Sequence, residues 1–335
     1  MLYTYARAKS SHKLIGIEMN LISTCLLPVC LTACRLMHPF IQRIYTDAST
    51  TRFKEDKSAV TLADIIVQNL LRLLLAPVTV AFIGEESSEE YVIDDPILAQ
   101  EVADARLAIQ ALELPTTLRA MNLTAVIDPI DGTAEFSNGK GHESTICIGF
   151  AQGTPVAGLV FRPTVGTYAA GCCSEDYFTT NLVRTDLNRD AVLTSNGRIS
   201  SFIEGLGLTR VPAGGCGNKI LLLLEGRGIY ILDRGVSRWD TCAAQAILED
   251  EGGTLCTLTG FLAGRMESYT YAVTDVNLDP NPLAVAGPMN SSGTSMHPYS
   301  NLRGLIAVPR ECLTDSDYME ALRSRCLSSS LPAYS

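Results

Sequence analysis

The stretch Val126-Ile127-Asp128-Pro129-Ile130-Asp131-Gly132-Thr133 constrains the fold more than any other part of the chain. An apolar run at 123–127 ends on two aspartates three residues apart, with a proline between them and Gly-Thr behind. Apolar and β-branched residues closed by turn formers read as a buried strand running into a turn. Two carboxylates held this close repel unless something of opposite charge sits between them. The fold must therefore supply that charge.

Other acids stand in similar places. Asp64 lies early in a helix-like segment, 61–77, with Thr61 as its N-cap and Pro77 at its end. Glu85 and Glu86 follow a short apolar strand within 80–84. Asp240 opens a helix at 238–253 whose apolar face is Ala243, Ala244, Ile247 and Leu248 and which Gly252-Gly253 stop. These are strand ends and helix starts, where folds present chemistry. A site built from carboxylates without His or Cys suits Mg²⁺ or Mn²⁺ and not zinc. Behind Asp131, the N–H groups of Gly132 and Thr133 can converge on an anion. The Thr133 hydroxyl can pair with a carboxylate and orient a water. The reaction class is metal-assisted hydrolysis of a phosphate monoester by in-line displacement. Plainer readings stand beside this one: Asp64 as the acid of a capping box begun at Thr61, Glu86 in a solvated acidic loop, Asp240 as an N-cap, Lys219 as a solvated lysine.

The 335 residues fit one unit of two tightly joined halves. We place a loose tail at 1–14, an N-terminal α+β half carrying most of the acids at 15–165, and a C-terminal half at 166–335. Hydrophobic residues at 47% allow a sizeable core, and a net charge of −10 argues against binding a nucleic-acid polymer. Eleven scattered cysteines without a CxxC pair suit a reducing cytoplasm and small core positions. The apolar segment 20–42 is interrupted by Pro28 and carries Arg35, so it reads as a buried first helix and not as a membrane span. Residues 92–119 read as a surface insertion, 144–172 as a β-meander, and 191–197 as a strand and turn. A Gly-rich turn, short helix and strand occupy 214–232; a surface loop fills 277–300; a last strand at 304–309 precedes one C-terminal helix. Without strict βαβ alternation, the class is α+β with mixed sheets in layers.

The motifs together resemble a known family. Residues 84–87 (GEES), 128–133 (DPIDGT) and 239–253 (WDTCAAQAILEDEGG) are similar to the three signatures of the inositol monophosphatase superfamily of lithium-sensitive, magnesium-dependent phosphatases, and 54–64 to its upstream element. The resemblance implies a layered αβαβα sandwich, monomeric or homodimeric, holding two or three Mg²⁺ ions that Mn²⁺ can replace. It implies Glu85, Asp128, Asp131, Asp240 and the Ile130 carbonyl as metal ligands, and Asp64 with Thr133 as the pair that activates water. Gly132 and Thr133 would hold the phosphate. The GNK turn at 217–219 with WDTCA resembles the 3′(2′),5′-bisphosphate nucleotidases, which implies that Thr194, Ser195, Cys216, Gly217, Lys219 and Asp240 meet a small bisphosphorylated substrate. The segment 61–68 and the long late loop lean toward the inositol polyphosphate 1-phosphatases. The turn 194–198 lacks the histidine of the nucleotidase pattern. A catalytically silent phosphate-binding relative is the third reading.

Overall fold

A computed structural model of the chain describes residues 21–49, 58–86, 91–173, 175, 177–197, 199–272, 300–301 and 304–329. The expected tail at 1–14 and the loop at 277–299 lie outside the described residues. The apolar N-terminal segment forms a π-helical turn, Ile22–Leu26, that runs into α1, Leu27–Ser49. Pro28 does not interrupt this helix as expected. The missing N–H falls where the preceding turn is already widened to π geometry. Residues 22–46 are long and apolar enough to cross a membrane. In this fold Leu26, Cys30, Ala33, Met37 and Phe40 of that helix are buried in the core.

Next comes α2, Ser58–Leu75, which starts before Thr61. Thr61 is thus inside the helix and not its N-cap, and Asp64 stands in the second turn, outside any capping box with it. Then follow β1, Ala81–Gly84, and α3, Pro96–Gln110, whose N-cap Asp95 accepts from Ile97 and Leu98. The expected surface insertion is wrong for α3. Its Leu98, Val102, Ala105 and Ile109 recur at helical spacing and are buried, so one face joins the core beside α1.

The first sheet continues with β2 (Thr124–Asp131), a short α4 (Thr133–Ser137), and the meander β3 (Thr145–Gln152), β4 (Thr154–Phe161), β5 (Tyr168–Cys172) and β6 (Tyr177–Thr180). Its order is β1-β2-β3-β4-β5-β6, with β1 and β2 parallel and the rest antiparallel. The sheet therefore runs past position 165, the expected border between halves, to Thr180. The second part of the chain supplies β7 (Ala191–Thr194), α5 (Ser201–Gly205), β8 (Thr209–Pro212), α6 (Cys216–Leu224), β9 (Ile229–Leu232), β10 (Val236–Ser237), α7 (Arg238–Asp250), β11 (Thr254–Thr257) and α8 (Leu258–Leu262). After the undescribed stretch come β12 (Ser300–Asn301), β13 (Leu305–Val308), α9 (Arg310–Leu313) and α10 (Ser316–Ser328). The expected single C-terminal helix is two, because the Asp315 carboxylate caps Tyr318 N–H at 3.0 Å and starts a new one. The second sheet has the order β11-β13-β9-β7-β8, and β10 pairs with β12.

Alternation along the strands builds the layers. In β2, Ala125 and Ile127 face the α1–α2–α3 core, while Val126 faces α6 and α7. In β9, Tyr230 and Leu232 face the α6–α7 side, while Ile229 and Ile231 face a third core with residues of α5, α8 and α10. The result is helices, sheet, helices, sheet, helices: the α+β αβαβα sandwich. The middle helix α7 lies close on β3 and β4 because Gly149 and Gly158 have no Cβ. A Cβ at Gly158 would come within 2.6 Å of the Ala243 Cα.

Candidate active site

Asp128 and Asp131 stand at the C-terminal end of β2, and the backbone explains their spacing. On a regular strand, residues three apart point to opposite faces. Here Asp128 pairs with Cys147 and Asp131 with Thr145, so Pro129 and Ile130 together oppose Ile146 alone. That is a β-bulge, and its extra residue brings the two carboxylates back to one side. Proline is tolerated there because a bulge has an unpaired position. The DPID spacing is thus the sequence form of a bulge.

Asp240 arrives from α7. Its Oδ2 accepts the Ser237 N–H at 3.2 Å, which makes it the N3 acid of a capping box. The cap and the site member are one residue: single carboxylate oxygens of Asp128, Asp131 and Asp240 all lie within 4.8 Å of one another, a group able to hold a metal ion. Glu85 follows β1, where its N–H extends the parallel ladder to the Ile127 carbonyl at 3.2 Å. Its side chain bonds to Asp128. Asp64, buried on α2, faces the charges of Glu85 and Glu86.

Burial and mutual repulsion push four acids, Asp64, Glu85, Asp128 and Asp240, toward their neutral forms. Burial, then the charge of Asp131, raises Asp240 to about 8. Burial chiefly, and after it the charges of Glu86 and Asp131, raises Glu85 to about 7. Asp128 goes well above the carboxylate range through burial and the charges of Glu85, Asp240 and Asp131; Asp64 does so through burial and Glu85. Asp64 Oδ1 and Asp128 Oδ1 are buried without a hydrogen-bond partner. Buried acceptor oxygens of one sign with no donor fit a hard divalent cation.

Asp131 is supported differently. Its Oδ1 accepts the Cys216 N–H at 2.9 Å; its Oδ2 accepts the Gly217 N–H at 2.7 Å and the Thr145 hydroxyl at 2.9 Å. The first turn of α6 thus points its amides at Asp131. Lys219 is buried, donates to the Gly215 carbonyl at 2.6 Å and lies over the Tyr230 ring. It is not a solvated surface lysine. Thr133 opens α4 behind Gly132, whose φ is +85°. Its hydroxyl donates to the Ile130 carbonyl at 3.2 Å, and not to a carboxylate.

A cleft of about 280 Å³ opens over this cluster. Asp131, Gly132, Ser195, Cys216, Lys219 and Asp240 line it, as do Tyr230, Arg234 and Ser237. Thr194 and Gly217 sit just behind it: the Thr194 hydroxyl accepts from Arg210 Nε at 2.9 Å, and Gly217 is spent on Asp131. Arg210, Arg234, Tyr230 and Thr145 escape sequence reasoning. Only Thr145 had a signal, since a hairpin register places it opposite Asp131.

The fold is the layered phosphatase-type sandwich. The crystal structure of inositol monophosphatase II from Staphylococcus aureus MSSA476 matches it with a TM-score of 0.54 at 16% identity, over 90% of this chain and 98% of that one. The sequence profile of the inositol monophosphatase family matches residues 25–287, and the chain belongs to that family. It is similar to inositol monophosphatase 3 of Danio rerio (32% identity over 160 residues, 42% of this chain and 46% of that protein). It is also similar to 3′(2′),5′-bisphosphate nucleotidase 1 of Rattus norvegicus (27% over 196 residues, 53% and 64%). The chain thus spans about half to two-thirds of the length of these relatives.

Proposed function

We propose that the protein is a Mg²⁺-dependent phosphomonoesterase that removes one phosphate from a small bisphosphorylated molecule, with a 3′(2′),5′-bisphosphate nucleotide as the leading substrate. One observation carries this reading: three carboxylates converge within 4.8 Å, with orphaned buried oxygens beside them. Asp128, Asp131, Asp240, Glu85 and the Ile130 carbonyl would hold two or three ions, Mg²⁺ or Mn²⁺. When bound, such ions lower the pKa of a water and neutralise phosphate charge. The rest falls to the chain. Asp64 accepts the proton of the attacking water, and Thr133 orients that water. The water oxygen bonds to phosphorus and the phosphorus–oxygen ester bond breaks on the far side, where the leaving oxygen takes a proton from solvent while Asp64 returns its own to solvent. The amides at Gly132 and Thr133, at the start of α4, bind the transferring phosphate, since the first N–H groups of a helix have no internal partner.

Lys219 and Arg234 bring positive charge to the same cleft, which suits a substrate with a second phosphate. Ser195, Cys216 and the end of β7 at Thr194 complete the substrate side, and Gly217 acts through Asp131. The similarity to a bisphosphate nucleotidase supports the nucleotide. The stronger identity to a protein named inositol monophosphatase 3 favours an inositol phosphate as the second reading. Eleven cysteines, most of them buried and none in a disulfide, suit a cytoplasmic setting. The test is a side-by-side kcat/KM for adenosine 3′,5′-bisphosphate and inositol 1,4-bisphosphate in Mg²⁺. At least tenfold preference for the nucleotide is expected. Preference for the inositol bisphosphate moves the protein to the second reading, and turnover of neither overturns the proposal.

A further inference from the structure

Asp64 is not the only polar group that α2 sends inward. Gln68, one turn later on the same face, is fully buried at 0% exposure. Its carboxamide makes a two-sided pair with the backbone of Glu86: Oε1 accepts the Glu86 N–H at 3.0 Å, and Nε2 donates to the Glu86 carbonyl. The carboxamide passes directly over Gly84. A Cβ there would lie 2.7 Å from Gln68 Cδ and closer still to Oε1. Two features of different segments, a buried glutamine and a glycine at the end of β1, therefore fit each other. Between Gly84 and Glu86 sits Glu85, whose own N–H donates to the Ile127 carbonyl.

We propose that Gln68 is a positioning residue that clamps the Gly84–Glu86 turn from α2 and so fixes where the Glu85 carboxylate meets the cation cluster. The inference rests on the reading of that cluster as a divalent-cation site. The physical need is clear. Glu85 lies past the end of its strand, where its N–H makes the last bond of the ladder, and its side chain faces the like charge of Asp64. Without the clamp, the loop relaxes outward and separates the like charges. With it, α2 delivers Asp64 and locks Glu85 in a single rigid piece. Groups that orient ligands from behind typically change metal affinity 10- to 100-fold on removal.

Isothermal titration of the whole 335-residue chain with Mn²⁺ tests this, using Gln68→Met to keep side-chain volume and Gly84→Ala to expel the carboxamide by a different route. Both variants are expected to weaken Mn²⁺ binding at least tenfold, while their melting temperatures in EDTA change far less than their affinities. A role confined to packing gives the reverse: lower melting temperature and an Mn²⁺ affinity within twofold of wild type, which overturns the proposal. If one variant does not fold, the other decides. Wild-type protein that binds no Mn²⁺ overturns the cation site itself, a result distinct from failure of the clamp.

Discussion

At the scale of single residues, the acids of the candidate site govern stability and, on the proposed function, chemistry. Glu85 is raised to about 7 and Asp240 to about 8, each mainly by burial. Such groups favour folding when protonated. Below about pH 4 they hold protons in both the folded and unfolded chain, and the benefit is complete. As pH rises, the unfolded chain ionises first, so the cation-free protein loses stability until the folded groups also ionise near pH 7 to 8. Melting temperature in EDTA should therefore fall by several degrees between pH 5 and 8, and saturating Mg²⁺ should remove the slope. A flat or rising profile in EDTA contradicts the cluster as described. The grouping of Glu85, Asp128, Asp131 and Asp240 as candidates was legible because carboxylates at element ends next to apolar runs have few structural uses; Asp64, in the second turn of α2, took its role only through the family resemblance. Gln68, Thr145 and Arg210 were not legible. A glutamine inside an amphipathic helix, or a threonine on a strand, looks the same in sequence whether or not it holds a ligand-bearing backbone in place. The position of Thr133 is the other limit. Its hydroxyl found the Ile130 carbonyl three residues back, a local bond that competes with any partner across the site.

At the scale of elements, two departures from ideal geometry place the site. One is the bulge in β2, which turns Asp128 and Asp131 to one side. The other is the close seating of α7 on β3 and β4, which carries Asp240 to them. That seating depends on Gly149 and Gly158 facing the small residues Cys242 and Ala243. Gly158→Val should overpack this contact, lift α7, and cost about 1–3 kcal/mol or more. A urea midpoint unchanged from wild type would show that the helix is not seated by this contact. The helix itself was legible from its Ala-rich face and paired glycines. The error at 92–119 has the opposite cause: α3 carries apolar residues on its exposed side too, Ile97 and Leu107 among them, so its buried face is weakly written. Similarly, Pro28 reads as a stop in sequence, but a π turn accommodates it.

At the scale of the whole molecule, the acids come together only because two sheets share a middle layer of helices. β2 supplies two from the first sheet, the turn after β1 a third, α2 a fourth from the outer layer, and α7 a fifth from between the sheets. The layered class could be read from the order of elements, since strand runs broken by helices of one-sided hydrophobicity have few other solutions. The extent of the first sheet could not, because β5 pairs onto β4, and β6 onto β5, after an ordinary turn that resembles a boundary. On the proposed function, cation binding and substrate cleavage would be the joint property of these layers, and phosphate release from adenosine 3′,5′-bisphosphate across a Mg²⁺ titration tests that most directly. The account predicts no measurable release in EDTA and saturable activation as Mg²⁺ is restored, lost by at least a thousandfold in Asp128→Asn, of the order reported for essential active-site groups. Release that is indifferent to EDTA, or an Asp128→Asn variant turning over at the wild-type rate, would contradict it.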